Sequence, residues 1–171
     1  MPAFPPDPSN PWVAHPRLAP HAIPGRADHV RVRVHAGGPR VSKLAPRVAE
    51  VRVTGGDGYA FFGILAEPVS GLEPLARGST IRFVAPEDGS APLLVTDRYL
   101  AERPHWTIHP CEHCGLGELY DAPSDLIKAT FPELGAAETP RLFATICGAC
   151  GGSQLVQHDS FVASDEASTR A

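Results

Sequence analysis

The sequence predicts a mainly β chain of the α+β class: a small β-barrel or strongly bent sheet, followed by a cysteine-bearing module with one short helix. Three observations lead there. The 171 residues include 19 prolines and 16 glycines, near twice the usual combined share of about 12%, and both residues interrupt helices. Apolar residues recur in short alternating runs, the period of half-buried strands. All four cysteines fall in two Cys-x-x-Cys pairs in the second half of the chain. A chain of this length holds one medium domain or two small ones on a scale of about 100–200 residues per domain.

The first 24 residues carry eight prolines, with Trp12, Val13 and Leu18 as the main apolar points. Proline lacks an N–H and fixes φ, so this segment reads as an extended arm, free or laid over a domain. From Asp28 onward Val30, Val32 and Val34 alternate with Arg31, Arg33 and His35, which puts valines on one side of a strand and basic groups on the other. A turn at Gly37-Gly38-Pro39 leads to a second alternating run, Ala49 to Thr54. The Gly55-Gly56-Asp57-Gly58 stretch then reads as a hairpin connection into Tyr59 to Leu65, because Gly and Asp accept the positive φ of such turns. Pro68, Gly71, Pro74 and Gly78 make a loop, and Thr80–Val84 and Leu93–Thr96 read as two more strands around a Pro86-Glu87-Asp88-Gly89 turn. Five short strands in about 70 residues favour closure, which removes exposed edges.

Beyond Asp97 the clearest element is a helix over Asp121–Phe131. Asp121 is expected to cap it, Pro123 occupies its first turn, Asp125 complements the dipole and Pro132 stops it. Leu126, Ile127, Thr130 and Phe131 would share one face. Trp106 and Ile108, in alternate register, are expected to bury against the barrel.

Cys111-Glu112-His113-Cys114-Gly115 and Cys147-Gly148-Ala149-Cys150-Gly151 are two copies of Cys-x-x-Cys-Gly, with 32 residues between Cys114 and Cys147. Two intervening residues let both sulfurs of a pair turn toward one ion. The glycine that follows can adopt a left-handed conformation that aims backbone N–H groups at the thiolates. Four soft thiolates form the tetrahedral set favoured by zinc, so Cys111, Cys114, Cys147 and Cys150 are the expected ligands of one structural Zn2+. With four thiolates on the ion no position is open for water or substrate, which argues against an enzyme at this site. Serine at Cys111 or Cys147 is then expected to unfold the C-terminal region. A dithiol redox pair would call for a neighbouring βαβ pattern, which is missing. His105, His109 and His113 near the first pair are expected to serve as surface or supporting groups. Glu112, Glu118, Asp121 and Asp125 are expected to be solvated or capping. Phosphate-loop, nucleotide-fingerprint and His-Glu-x-x-His motifs do not occur.

The formal charge is −4, and it is unevenly spread: residues 1–50 hold seven Arg/Lys against three acids, residues 101–171 four against ten. An acidic half disfavours a phosphate-driven partner and points to another protein. No apolar run approaches the roughly 20 residues needed to span a bilayer, and no basic start with an apolar stretch opens the chain, so the expected location is the cytoplasm without membrane attachment.

Several resemblances add to this reading. Leu75 to Phe83 resembles the leucine, glycine, apolar-strand stretch of SH3-like barrels. The two cysteine knuckles are similar to those of zinc-ribbon modules, and their spacing also resembles rubredoxin, a one-iron electron carrier. Rubredoxins surround their metal with an aromatic core, whereas this interval offers only Tyr120, Phe131 and Phe143. Val48 to Phe83, with Gly63-Ile64-Leu65-Ala66-Glu67-Pro68 and Leu75-x-x-Gly78-x-x-Ile81-x-Phe83, looks like uncharacterised small bacterial β-barrel domains whose relatives include immunity proteins of polymorphic toxin systems. That resemblance implies a binder and carries over no catalytic residue. The division expected is a Pro-rich arm at 1–27, an SH3-like barrel at 28–98, a zinc-ribbon-like module at 99–158 and a disordered tail at 159–171. The expected function is a non-catalytic, zinc-binding protein-interaction module, for which the Val48 to Phe83 resemblance implies the immunity type. Alternatives are a nucleic-acid-binding zinc ribbon and a rubredoxin-like iron carrier.

Overall fold

The computed structural model describes residues 12, 15–26, 28–35, 46–69, 76–135 and 138–161. The start of the arm, the Gly37-Gly38-Pro39 turn, Leu75 and most of the expected tail lie outside the described residues. The described residues fall into two compact units, one ending at Val95 and the other beginning at Thr96.

The first unit is a closed five-stranded barrel. Strand β1 (His29–Val34) pairs antiparallel with β2 (Arg47–Gly56), β2 with β3 (Ala60–Leu65), β3 with β4 (Thr80–Val84), and β4 with β5 (Leu93–Leu94). A parallel pairing of Arg33 with Leu93 closes the ring between β1 and β5. The alternation read in the sequence sets the inside: Val30, Val32, Val34, Val51, Val53, Phe61, Leu65 and Phe83 are buried in one cluster, each contributing about 1.5–3 kcal/mol of burial. Phe61 and Phe83 stack with centroids 5.6 Å apart. Gly63 has a reason to be glycine, since a Cβ there would lie 2.1 Å from Val51 Cγ1.

Two strand limits differ from expectation. Strand β2 runs on through Gly55 and Gly56 after a register shift at Val53, so the turn begins at Asp57. The Asp57 carboxylate accepts from the Tyr59 and Ala60 N–H groups at 2.9 and 2.8 Å, and Gly58 takes φ 96°. The last strand stops at Leu94 rather than Thr96 because Thr96 caps a helix. The proline-rich segment, where described, belongs to the barrel. Leu18 is fully buried in its core, and Trp12 and His15 pack edge-on against Phe61 at 6.1 and 5.6 Å.

The second unit starts with α1 (Asp97–Glu102) and a 3₁₀ turn over Arg103–His105. It continues with β6 (Trp106–Ile108), α2 (Pro123–Thr130), β7 (Leu142–Ile146) and β8 (Ser153–His158). The three strands form an antiparallel sheet in the order β6-β8-β7. The Trp106 ring meets Phe143 and His158 of this sheet edge-on at 5.9 and 4.8 Å.

The helix expected over 121–131 is present as α2, but Asp121 does not cap it. Its N-cap is Ala122, whose side chain has no oxygen to offer. The Glu102 carboxylate reaches over from α1 instead and accepts from the Ser124 N–H at 3.4 Å and hydroxyl at 3.0 Å. Leu126 and Ile127 are buried as expected, whereas Thr130 is exposed. Among the described residues no helix is long and apolar enough to cross a membrane.

Candidate metal centre

Strand β6 leads into the first knuckle, β7 leads into the second, and β8 returns between them. This places the two cysteine pairs at one end of the same sheet. Three bonds hold the first knuckle to β8: His109 N–H to Leu155 O at 2.9 Å, Glu112 N–H to Ser153 O at 3.1 Å, and Gln154 Nε2 to Leu116 O at 2.6 Å.

The two knuckles have the same internal geometry. Gly115 donates its N–H to Cys111 O and Gly151 to Cys147 O, both at 2.9 Å. Cys111 donates to Leu116 O at 2.9 Å and Cys147 to Gly152 O at 2.8 Å. Gly115 and Gly151 take φ of 79° and 80°, the left-handed conformation that the motif anticipates. Backbone N–H groups then face sulfur, with His113 N–H on Cys111 Sγ at 3.4 Å and Gly152 N–H on Cys150 Sγ at 3.3 Å.

The four sulfurs converge, all within 4.8 Å of one another. Two approaches between the knuckles are 3.5 Å, for Cys111 with Cys150, and 3.7 Å, for Cys114 with Cys147. Cys111 and Cys147 are buried, Cys114 and Cys150 exposed, so the cluster lies at the surface with two sulfurs facing in. Burial pushes the Cys147 thiol up to about 12 against the pull of the Cys150 and Ala149 N–H groups, and burial also raises Cys114. At Cys111 burial works in the same direction. Hydrogen bonds from the Cys114 and His113 N–H groups and the neighbouring thiols outweigh it and bring Cys111 down to about 7. Four soft donors at this separation, with N–H groups aimed at the sulfurs, fit a single metal ion.

Other predicted groups are placed elsewhere. His105 and His113 are exposed, and His109 Nε2 pairs with Gln157 Oε1 at 3.0 Å. None of the three joins the sulfur cluster. Glu112 is exposed and Asp125 forms a 2.7 Å ion pair with Arg98, in keeping with solvated or capping roles. Glu118 and Asp121 depart from expectation, being buried at 6% and 5% exposure. The Glu118 carboxylate accepts from the Tyr99 hydroxyl and from Arg103 Nε at 3.2 Å, and Tyr99 in turn accepts from the Leu119 N–H at 3.2 Å. This buried triad ties α1 to the chain leaving the first knuckle.

Three residues that support the site escaped notice in the sequence. Gln154 is 1% exposed and fills an inward position of β8 that a half-buried strand would ordinarily give to an apolar residue. Gly152 backs the sulfurs, since a Cβ there would lie 3.0 Å from Cys111 Sγ. Gly148 lets Tyr120 lie against the second knuckle, where a Cβ would come within 2.3 Å of the ring. The Gly151-Gly152 doublet was the available signal for the second of these. Comparison of the chain with protein-family models, curated proteins and solved structures gives no match.

Proposed function

We propose that the chain is a non-catalytic, zinc-binding interaction module of the zinc-ribbon kind, and that the acidic second unit meets a basic protein partner. An immunity-type role in a bacterial toxin system is the form of this reading that the Val48–Phe83 resemblance favours. The single observation behind it is the cluster of four cysteine sulfurs within 4.8 Å. Cys111, Cys114, Cys147 and Cys150 would hold the ion, which supplies cross-linking of the two knuckles. A set of four protein ligands keeps no position for substrate, the usual mark of a structural site.

The thiol environments support proton-coupled binding. Burial holds Cys147 and Cys114 above the ordinary thiol range, so both keep their protons at neutral pH. Loading the ion must displace those protons, so affinity falls as pH drops. Calorimetry of zinc binding at pH 7 in buffers of different ionisation heat is expected to show about two to four protons released per ion. Release of fewer than one contradicts a tetra-thiolate site.

Elemental analysis with an optical spectrum of the purified chain tests the reading as a whole. One zinc per chain and no visible absorption are expected. A coloured, redox-active iron protein would replace this reading by the electron-carrier one.

A further inference from the structure

The outer surface of the barrel carries a feature that the metal centre does not explain. Residues between the inward valines and phenylalanines face outward, and on β1 to β4 they include Arg31, Arg52, Phe62 and Arg82, all exposed. The pairing register lines them up. Arg31 is opposite Glu50, two residues before Arg52, Arg52 is opposite Ile64, two residues after Phe62, and Phe62 is opposite Arg82. The result is a diagonal band across four strands, about 14 Å wide across the strands at the usual spacing of about 4.8 Å and longer along the diagonal.

Charge and ring exposure single this band out. Glu50 is the one carboxylate on these strands, and it is engaged by Arg26 at 3.0 Å and His29 at 3.7 Å. Among the described residues no ion pair engages Arg31 or Arg52. Phe62 is 39% exposed on a strand whose neighbours Phe61 and Leu65 are buried, and the Arg82 guanidinium lies 4.8 Å from its ring centroid.

We infer that this outer surface binds single-stranded nucleic acid, with Arg31, Arg52 and Arg82 on phosphates along the strand and Phe62 stacked on a base. The convex outside of the closed barrel, bearing one exposed ring between cations, offers what a single strand wound over it recognises, a charged track and a stacking platform. A duplex keeps its bases stacked on each other and cannot use the ring. This assignment rests on the barrel alone and is independent of the metal reading.

Fluorescence anisotropy of the full, metal-loaded chain with a labelled twelve-nucleotide single strand tests it. Three phosphate contacts at a slope of about −0.7 each predict about twenty-fold weaker binding between 50 and 200 mM salt. Phe62→Ala is expected to weaken binding about ten-fold, with Phe62→Tyr restoring it. Arg31→Ala, Arg52→Ala and Arg82→Ala together should abolish binding while leaving the far-ultraviolet signature and the denaturant melt of the barrel unchanged, which shows the variant to be folded where the band lies. No binding of the oligonucleotide at 20 mM salt overturns the assignment. So does equal binding of polyglutamate with no effect of Phe62→Ala, which makes the band a general anion or acidic-protein surface.

Discussion

The two units solve the same problem of small size in different ways. The barrel closes on itself and fills its interior with Val, Leu and Phe side chains of which Val30, Val32, Val34, Val51, Val53, Phe61 and Phe83 are fully buried. The second unit has a three-stranded sheet and short helices, and its interior includes Glu118, Asp121, Thr145 and Gln154. Buried polar groups return little net stability even when paired. A unit built this way needs another source of cohesion, and the four-sulfur cluster joining two otherwise separate loops is placed to supply it. Apolar packing closes the barrel, and in the second unit a four-sulfur cluster that could hold a metal ion stands beside an apolar core that includes Tyr99, Leu116 and Val156.

Substitutions can set the two modes against each other. The largest effect is expected from Cys147→Ser, which removes a buried ligand. Structural zinc in small peptides contributes about 10–16 kcal/mol of apparent binding energy, so the second unit should lose its fold while the barrel keeps its far-ultraviolet signature. Phe61→Ala should do the converse. Emptying the centre of the barrel, at the ring that touches Trp12, His15 and Phe83, is expected to cost about 3–5 kcal/mol, visible in denaturant melts, with metal stoichiometry retained. Tyr99→Phe should cost less, about 1–3 kcal/mol, because it leaves the buried Glu118 carboxylate with Arg103 and without its hydroxyl donor. Thermal melts of the metal-loaded variant read this, and an unchanged melting point would show the triad to be incidental. Glu102→Ala is the mildest. It removes the carboxylate that stands in for a helix cap, worth about 1 kcal/mol, and should increase amide exchange in the first turn of α2 alone.

The same contrast governs what the sequence made legible. The barrel could be read because β1 and most of β2 alternate, as a closed sheet with one packed face requires, and because the Gly55-Gly56-Asp57-Gly58 stretch marks the hairpin into the apolar β3. Its fifth strand was read two residues too long because Val95 and Thr96 continue an apolar run, and nothing local shows that Thr96 turns to cap Tyr99 N–H at 3.0 Å. Helix α1, six residues long, is too short to display an amphipathic period. In the second unit the cysteine spacing and the glycine after each pair foretold the knuckle geometry, since both are local. The cap of α2 comes from Glu102, 22 residues before Ser124, and the burial of Glu118 depends on Tyr99 and Arg103. Partners brought in from so far along the chain leave no mark at the residue itself, so Asp121 was the only visible candidate for the cap.

Hydrogen exchange with mass spectrometry, on the zinc-loaded chain and after chelation, tests most directly whether the ion sustains one unit and apolar packing the other. Chelation should strip protection from the amides of β6, β7, β8 and both knuckles, and leave those of β1 to β4 unchanged. Equal loss in both units, or full protection of β6 to β8 without the ion, would contradict it.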